Sequence, residues 1–475
     1  MGLNTFTINF SDLARKRYVY FSYKFQFYNI EIQKTRKYLK SKVSDYFDIF
    51  TGYAFKSKDY EDGGAKLLRI GDFDKYGDID TQGMACLPEE YFEIYKRFEV
   101  KKEDIVIALT GATIGKTAFV ENFEENILLN QRVGLMRVKN ENIKPKLFYL
   151  LTKLKYFQFQ IQIDSMGKGQ QNISPTDVSK IKIPLITKPK QDLIVAKIEP
   201  IEKKIKELKA QIIQQQEIIN KIFVREFGFD LENANEKKRN MIHYSSLVDV
   251  ANEELKFDIS LKYRFIFNKY VKNPSKNEWI ELGKIVEVKG GKRLPKGQNI
   301  TEEDTGFKYV RVEDLNWSGI FDLENIKYIS EKNHIKIKNY ISNEYDILLT
   351  IVGATVGKCG LVPLELDGAN ITENFARLII LDKEEYLPEY VNYCLQSKTS
   401  AYQIDEYKGR SSQGKLALFR IKKIKIPNIK PELQQKIVDE IKAESVKQEK
   451  IKDKIESERN KIDEIIEAEI FSSSK

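Results

Sequence analysis

One stretch of the sequence occurs twice. It reads Asp104-Ile-Val-Ile-Ala-Leu-Thr-Gly-Ala-Thr-Ile-Gly-Lys116 in the first half of the chain and Asp346-Ile-Leu-Leu-Thr-Ile-Val-Gly-Ala-Thr-Val-Gly-Lys358 in the second. The offset of 242 residues also carries Gly77 onto Gly319 and Arg69-Ile-Gly-Asp72 onto Arg311-Val-Glu-Asp314; Lys180-Ile-Lys-Ile-Pro184 recurs as Lys423-Ile-Lys-Ile-Pro427. Matches in the same order over two halves of equal length indicate a duplicated domain rather than a short solenoid repeat.

Length and charge set the class of protein. The chain has 475 residues, 79 Lys+Arg against 70 Asp+Glu and a formal charge of +9, which permits a polyanionic partner bound through local basic patches. The aromatic stretch from Tyr18 to Tyr28 is interrupted by Ser22, Lys24 and Gln26, so it cannot span a bilayer. We expect a globular, cytoplasmic protein of two to three domains that makes no membrane contact.

Cysteine and histidine give no sign of a metal site. Cys86, Cys359, Cys394, His243 and His334 lie far apart in the sequence, without the short spacing that seeds metal coordination. We expect ordinary packing and surface roles for these residues, and no bound metal.

The spacing of apolar residues changes in each half at its Ile-Pro pair. Before it lie short strand-like runs such as Ile105 to Leu109 and Asp346 to Ile351, separated by Gly, Asn and Asp. After it, apolar residues alternate spacings of four and three, which predicts a heptad seam on a long helix. The predicted seam residues are Ile194, Ile198, Ile201, Ile205, Leu208, Ile212, Ile219 and Ile222 in the first half, and Ile437, Ile441, Ile451, Ile455, Ile462 and Ile465 in the second.

Two apolar positions in seven form a stripe too narrow for a helix that packs only on its own domain. We therefore predict that the two helices pack on each other, antiparallel as a pseudo-dyad favours, as a rod of roughly 50 Å. Pro200 should kink the first helix or mark its start. The predicted fold class is α+β, with two mixed α/β domains joined by two long antiparallel coiled-coil helices in a pseudo-twofold duplication. The predicted boundaries are 1–186 and 230–429 for the domains and 187–229 and 430–475 for the helices.

The glycine-rich stretch is similar to a phosphate-binding P-loop but has three residues between its glycines where that loop has four. The stretch is followed by the strand-like Ala118-Phe-Val rather than by a helix, and the second copy has Cys359 where a P-loop has a hydroxyl. A tight strand-turn-strand is the better interpretation. At its edge it would display Thr113, Lys116, Thr355 and Lys358, whose lysines meet either a phosphate or only solvent.

Catalytic signatures are missing. No Pro-Pro pair is present, so the Asn-Pro-Pro-aromatic loop of amino-methyltransferases is absent, and no Glu-x-Lys follows a Pro-Asp at nuclease-like spacing. Two histidines and no duplicated acid pair leave general acid-base catalysis without groups that recur in both halves. The duplication favours binding over catalysis.

Several features in order resemble the specificity subunits of type I restriction-modification systems, which contain two target-recognition domains alternating with two long helices. They are Phe50-Thr-Gly52-Tyr-Ala-Phe55, the duplicated core, Asn130-Gln-Arg132 and Thr372-Glu-Asn-Phe-Ala-Arg377, and the helix starts at Gln191 and Gln434. The match covers nearly the whole chain. The second half departs where Val288-Lys-Gly-Gly-Lys292-Arg-Leu-Pro-Lys296 replaces the Gly-Tyr-Ala-Phe pattern, as expected if the halves read different bases.

The resemblance implies a non-catalytic adaptor. Each domain would read one part of a bipartite, asymmetric double-stranded DNA target in the major groove, while the helices set the spacing and dock two modification subunits that methylate adenine. Restriction subunits would join the complex, and S-adenosylmethionine, ATP and magnesium are expected only on the partners. Three alternatives stay open: a related system whose partner fuses methylase and nuclease, a coiled-coil scaffold that binds only proteins, and an enzyme with nucleotide sites in the glycine-rich turns.

Candidates for DNA contact are polar residues in predicted loops, where Arg and Gln suit guanine and adenine edges and Lys suits phosphate. The loops 167–172 and 409–415 are favoured because both combine Gly, Gln and basic residues just before a helix. Arg69 and Arg311 are more doubtful, since an Arg just ahead of an Asp can form a structural ion pair. The candidates are Lys56, Lys58, Arg69, Lys116, Arg132, Lys168, Gln170 and Gln171 in the first half, and Lys292, Arg293, Lys296, Arg311, Lys358, Lys408, Arg410, Ser411 and Gln413 in the second.

Overall fold

The computed structural model describes residues 38–111, 113–121, 125–139, 142–165, 172–228, 278–408 and 414–471. The chain divides into two compact units, the first within residues 1–210 and 454–475 and the second within residues 211–453. The stretch from Tyr18 to Tyr28, His243 and the predicted boundary at residues 229–230 lie outside the described residues. Within the described ranges, every helix is too short or too polar to cross a membrane.

The described part of the first unit contains nine β-strands: β1 (Leu39–Lys42), β2 (Phe47–Thr51), β3 (Ala65–Leu68), β4 (Ala85–Leu87), β5 (Ile105–Ala108), β6 (Thr117–Phe119), β7 (Ile127–Leu129), β8 (Val133–Val138) and β9 (Lys182–Pro184). They form an antiparallel sheet of order β2-β8-β5-β6, a sheet of order β4-β3-β7 in which β3 and β7 are parallel, and the pair β1-β9. Every residue of β5 is buried, which explains its continuously apolar sequence.

The second unit repeats this arrangement strand for strand. Its strands are β10 (Glu278–Glu281), β11 (Val286–Gly290), β12 (Lys308–Val310), β13 (Lys327–Tyr328), β14 (Ile347–Thr350), β15 (Cys359–Leu361), β16 (Asn370–Ile371), β17 (Phe375–Ile380) and β18 (Lys425–Asn428). The sheet orders are β11-β17-β14-β15, β13-β12-β16 and β10-β18. Leu348, Phe375, Val310 and Ile371 are buried in one core cluster between the first two sheets. The predicted duplication is confirmed at the level of topology.

The described residues also form eleven α-helices. They are α1 (Glu90–Ile94), α2 (Pro145–Lys153), α3 (Lys155–Ser165), α4 (Pro175–Lys180), α5 (Lys188–Lys209), α6 (Gln215–Phe227), α7 (Glu331–Lys336), α8 (Pro388–Gln396), α9 (Lys398–Tyr407), α10 (Leu418–Ile421) and α11 (Pro431–Phe471). Proline occupies the first turn of α2 and α8, where its missing N–H costs nothing. Ser174 caps α4 through a reciprocal pair of hydrogen bonds with Asp177.

The glycine-rich stretch is a hairpin turn in both units, as predicted. It joins β5 to β6 and β14 to β15, which pair antiparallel, so no helix N-terminus faces the turn. Gly111, Gly115, Gly353 and Gly357 have φ between +82° and +98°, a region that L-residues other than glycine rarely adopt. The conformation of the turn therefore accounts for glycine at these four positions.

The long helices pack antiparallel in the first unit. Lys197 Nζ of α5 lies 2.5 Å from Glu469 Oε1 of α11, and Lys204 Nζ lies 2.7 Å from Glu458 Oε1. The partner number falls as the α5 number rises, so the two chains run in opposite directions. The predicted antiparallel pairing is confirmed here.

The second unit contains the same pairing between α6 and the first part of α11. Arg225 Nη2 lies 2.5 Å from Glu440 Oε2, and the N–H of Ile213 donates to Gln448 Oε1 at 2.9 Å. The partner number again falls as the number in the first segment rises, so the two segments run antiparallel.

The first long helix differs from the prediction in two respects. Residues 210–214 interrupt it between α5 and α6, where the sequence predicted one continuous helix. Pro200 lies inside α5, which begins at Lys188, so it does not mark the start of the helix. Gln448 accepts a hydrogen bond from the N–H of Ile213 within the interruption, which meets the requirement that a freed backbone donor be paired.

Most of the predicted seam is buried. Ile194, Ile198, Ile205, Ile219, Ile222, Ile437, Ile441, Ile455 and Ile462 are buried, whereas Ile201, Leu208, Ile212, Ile451 and Ile465 are only partly buried. At the end of α11 the buried positions are Ile466 and Ile470. The buried positions of the last turns are thus four residues apart, and the predicted heptad is wrong there by one residue, with Ile466 buried in place of Ile465.

Candidate nucleic-acid interface

In the first unit, three connections emerge at one end of the four-stranded sheet. Strand β2 ends at Thr51 opposite Gly134, and β5 ends at Ala108 opposite Val133, so the end of β2, the start of β8 and the β5-β6 turn lie side by side. The connections are residues 52–58, 130–132 and 109–116. We call this edge, together with its equivalent in the second unit, the loop end.

The predicted loop before α4 joins the same loop end. Thr110 pairs with Asn172, and the N–H of Ile173 donates to the carbonyl of Leu109 at 2.9 Å. The loop residues Lys168, Gln170 and Gln171 lie outside the described residues. Its described end is nonetheless anchored beside the glycine turn.

The second unit builds its loop end with equivalent bonds. Val352 pairs with Lys415, and the N–H of Leu416 donates to the carbonyl of Ile351 at 2.9 Å. Strand β11 ends at Gly290 beside the start of β17. Arg410, Ser411 and Gln413 lie outside the described residues.

Two glycines explain how the chain leaves β2 and β11. A Cβ on Gly52 would lie 1.8 Å from the carbonyl oxygen of Leu129, and a Cβ on Gly291 would lie 2.1 Å from that of Thr372. Only glycine permits this close passage of two backbones. The segments that follow β2 and β11 differ in sequence but therefore follow the same backbone path.

The exposed basic candidates divide between the two loop ends. Lys56, Lys58 and Arg132 are exposed in the first unit, and Lys292 and Lys296 are exposed in the second. Exposed lysine and arginine side chains can reach a polyanion, and their assignment as DNA contacts stays a prediction.

Two further candidates at the second loop end are exposed and already paired with acids. Arg293 is 81% exposed and its Nε lies 2.5 Å from Glu373 Oε1, and Lys408 Nζ lies 2.5 Å from Asp405 Oδ1. Exposed ion pairs of this kind contribute little, so a phosphate can replace the acid at small cost.

Lys116 and Lys358 are not displayed at the edge of the turn, and that prediction is wrong. Lys116 Nζ donates to the carbonyls of Ile70 at 2.7 Å and Phe73 at 2.5 Å. Burial lowers the pKa of both lysines, and Lys358 is only 7% exposed. We call this arrangement the lysine staple.

The same staple occurs in the second unit. Lys358 Nζ donates to the carbonyls of Val312 at 2.7 Å and Leu315 at 2.6 Å. An ammonium that donates to two carbonyls inside the domain is withdrawn from the loop end. Sequence reasoning missed this role because the carbonyls belong to segments more than forty residues away.

Arg69 and Arg311 form the structural ion pairs that made them doubtful as DNA contacts. Arg69 Nη2 lies 3.0 Å from Asp72 Oδ1, and Arg311 Nη2 lies 2.6 Å from Asp314 Oδ1. In each pair the carboxylate also accepts the backbone N–H of its arginine at 2.7 Å. The hydrogen bond that Arg69 donates to Asp72 raises the pKa of Arg69 above its usual value.

The loop ends also expose residues that the sequence did not nominate. Tyr53 is 38% exposed and packs against Phe55, Tyr95 and Phe98 in the first unit, while Lys415 is exposed in the second. Tyr53 directly follows Gly52, where two backbones pass closely, and this position next to the glycine was the sequence signal that could have identified it. An immobilised aromatic ring suits apolar contact with a base edge or sugar.

Cys359, Cys394 and His334 are held by contacts within the second unit. Burial raises the pKa of Cys359 to about 12 and also raises the pKa of Cys394, which disfavours the reactive thiolate. His334 Nδ1 lies 2.7 Å from Asn370 Oδ1, and its ring stacks on Phe307.

Comparisons with known proteins find similarity to one family. The family model described as "Type I restriction modification DNA specificity domain" matches residues 35–217 and 274–465. The specificity subunit of the type I restriction enzyme MjaVIII from Methanocaldococcus jannaschii is 32% identical over 165 residues, which are 34% of this chain and 38% of that protein. The specificity subunit of the Escherichia coli type I enzyme EcoBI is 24% identical over 370 residues, 76% of this chain and 69% of that protein.

A solved S subunit of a type I restriction-modification system from M. genitalium aligns over 92% of this chain and 96% of its own, with a TM-score of 0.37 and 17% identity. The family model matches most of the chain, once in each half. The chain therefore belongs to the family of type I restriction-modification DNA specificity subunits.

Proposed function

We propose that each unit is a target-recognition domain whose loop end reads one part of a bipartite, asymmetric target in the major groove of double-stranded DNA. The observation that carries the proposal is the construction of one loop end twice, on equivalent strands and glycines, with different exposed side chains. Identical scaffolds with different surfaces suit a protein that reads two different half-sites.

The long helices have two tasks in this proposal. They set the distance between the half-sites, about one turn of DNA, and they dock two modification subunits that methylate adenine. Restriction subunits join that complex in the cytoplasm. The chain is non-catalytic by itself and holds no cofactor, so S-adenosylmethionine, ATP and magnesium bind the partner subunits.

Methylation mapping of the source genome, with and without this gene, tests the proposal. We expect methyl-adenine at one bipartite motif with an unread gap to disappear when the gene is deleted. An unchanged map in a strain that expresses the modification subunits would contradict the proposal. Millimolar ATP should leave the melting temperature of the purified chain unchanged, whereas a rise would favour a nucleotide-binding enzyme.

A domain exchange tests the division of labour. Replacement of residues 1–184 by the equivalent segment of another family member should change one half of the methylated motif and leave the other half and the gap unchanged. A change in both halves would contradict the modular assignment.

A further inference from the structure

Each long helix begins with a buried glutamine that hydrogen-bonds to three backbone groups. In the first domain Gln191 of α5 is 1% exposed. Its Nε2 donates to the carbonyls of Asn142 at 2.8 Å and Ile186 at 2.9 Å, and its Oε1 accepts the N–H of Lys144 at 2.8 Å. We call this set of bonds the glutamine clasp.

The second domain has the same clasp, atom for atom. Gln434 of α11 is fully buried, and its Nε2 donates to the carbonyls of Glu385 and Ile429, both at 2.9 Å. Its Oε1 accepts the N–H of Leu387 at 2.9 Å. Two independent copies with distances that agree within 0.1 Å indicate a defined geometry rather than a chance contact.

The clasp joins three segments of one domain. Lys144 and Leu387 are the N-terminal caps of α2 and α8, and Ile186 and Ile429 lie in the short connections that lead into α5 and α11. The amide therefore connects the recognition domain, the connection and the first turn of the long helix. A side chain without donors and an acceptor would leave buried carbonyls and an N–H unpaired.

We propose that Gln191 and Gln434 are positioning residues that fix the direction in which each long helix leaves its recognition domain, and that they thereby set the spacing between half-sites that the complex accepts. This inference rests on the proposed function. It adds to that function a pair of residues that touch no DNA and act only through the helix.

The length of a helix makes its starting direction important. A helix rises about 1.5 Å per residue, so a tilt of about 5° displaces the backbone by roughly 3 Å after some 20 residues. One base pair adds about 3.4 Å along DNA. A loosened clasp is therefore enough to blur the distinction between spacers that differ by one base pair.

Gln403 offers a matched control. It is also fully buried, its Oε1 accepts the N–H of Lys425 and its Nε2 donates to the carbonyl of Lys425, both at 2.8 Å. These bonds join α9 to β18 inside the recognition domain. Loss of this amide removes comparable bonds without a direct effect on the direction of a long helix.

The experiment compares Gln434→Met with Gln403→Met in the full chain assembled with its modification subunits. Methionine is similar to glutamine in length and cannot replace its hydrogen bonds. The substrates are DNAs that carry the mapped target with the native gap, or a gap one base pair shorter or longer. The measured quantity is the ratio of the methylation rate on the native gap to the rate on each altered gap.

We expect Gln434→Met to lower this ratio at least about fivefold, the factor that one neutral hydrogen bond is worth. Discrimination against base changes within either half-site should stay as in the wild type. Gln403→Met should keep the wild-type ratio even where it lowers the melting temperature. A Gln434→Met complex that retains the wild-type ratio, or a Gln403→Met complex that loses it to the same extent, would overturn the positioning role.

Gln191→Met applies the same test to the first domain and decides the matter if Gln434→Met does not assemble. The wild-type complex separates this inference from the function on which it rests. If the wild type methylates no bipartite target, the proposed function fails; if it methylates one and both clasp variants keep its gap preference, only the positioning role fails.

Discussion

The two recognition domains share the hydrogen bonds of their interiors and differ in the side chains of their loop ends. Both contain the lysine staple, the glutamine clasp and an Asp-Arg pair between equivalent strands. At the loop end, Tyr53 follows the close-passage glycine in the first domain and Lys292 follows it in the second. The duplication has kept the bonds that hold the scaffold and varied the surface, which suits two domains that read different sequences.

Two interior positions also differ between the domains. The last residue of α2 is Lys153, which donates to the carbonyl of Thr117, whereas the last residue of α8 is Gln396, which donates to the carbonyl of Cys359. Gln158 donates to the carbonyl of Gly115 in the first domain.

The equivalent of Gln158 in α9 is Ala401, which lines a cavity of about 270 Å³. The second domain therefore uses smaller or neutral groups beside the glycine turn.

The largest effect is expected at the Asp-Arg pairs. Arg377 and Asp346 are 12% and 4% exposed, with Arg377 Nε 2.5 Å from Asp346 Oδ2, while Arg137 of the equivalent pair is 29% exposed. Asp346→Ala should lower the free energy of unfolding by about 3 to 5 kcal/mol, because it leaves a buried guanidinium uncompensated. Asp104→Ala should cost less because its partner keeps more water.

Urea denaturation of both variants measures this difference. Glu125→Ala, which removes an exposed partner of Lys66, is the control and should change the free energy of unfolding by less than about 1 kcal/mol. Equal effects in the two domains would contradict the account from burial.

The lysine staple should come next in magnitude. Lys116→Met and Lys358→Met should each lower the free energy of unfolding by about 2 kcal/mol, because two carbonyls lose their donor. Neither should change the salt dependence of DNA binding. Lys56→Met is the matched comparison, with unchanged stability and a shallower salt dependence. A shallower salt dependence in Lys358→Met would restore that residue as a DNA contact.

Lys153 in the first domain and Gln396 at the equivalent position in the second should give the two domains a different dependence of stability on pH. Burial lowers the pKa of Lys153 to about 8, so between pH 8 and its usual value near 10.5 the unfolded chain binds more protons than the folded chain. The contribution of Lys153 to the free energy of unfolding should therefore rise with pH over this interval, by on the order of 2 kcal/mol, and the difference between the wild type and Lys153→Gln isolates it from other groups that titrate there, such as the buried thiols. Lys153→Gln should remove the rise, and Gln396→Lys should add one in the second domain.

Thermal unfolding between pH 7 and pH 10 records these profiles. Parallel profiles for the wild type and Lys153→Gln would show that Lys153 is not desolvated in the folded chain.

The smallest change in stability is expected at the loop ends. Lys292→Met should leave the free energy of unfolding within about 0.5 kcal/mol and reduce the slope of log K against log salt by about 0.9 if its ammonium meets one phosphate. Tyr53→Lys should increase that slope by a similar amount in the first domain. An unchanged slope in both variants would place the DNA elsewhere on the domains.

Much of the fold was predictable from the internal repeat and from the spacing of apolar residues in the sequence. The strand-turn-strand at the duplicated core, the two matching domains and the antiparallel helices were predicted from them and are confirmed. The interruption at residues 210–214 and the burial of Ile466 in place of Ile465 were not. A heptad pattern describes the average direction of an apolar stripe, and it does not register where a helix breaks or shifts by one residue.

The site was predictable only in part. Lys56 and Lys116 are the same residue type in loops of similar composition, yet one is exposed and the other donates to Ile70 and Phe73. A lysine stem is long enough to reach either solvent or an interior carbonyl. Which of the two it reaches depends on where a distant segment passes, and composition does not report that.

The sequence by itself determined the duplication, the alternation of domains and helices, and the family, because each of these is written in the order and spacing of residues near one another in the chain. Only the tertiary structure decided the roles of Lys358, Gln191 and Gln434. Their partners are single carbonyl and N–H groups from other segments, between five and forty-nine residues away. A hydrogen bond depends on the position of one atom to within a few tenths of an ångström, and packing rather than local pattern sets that position.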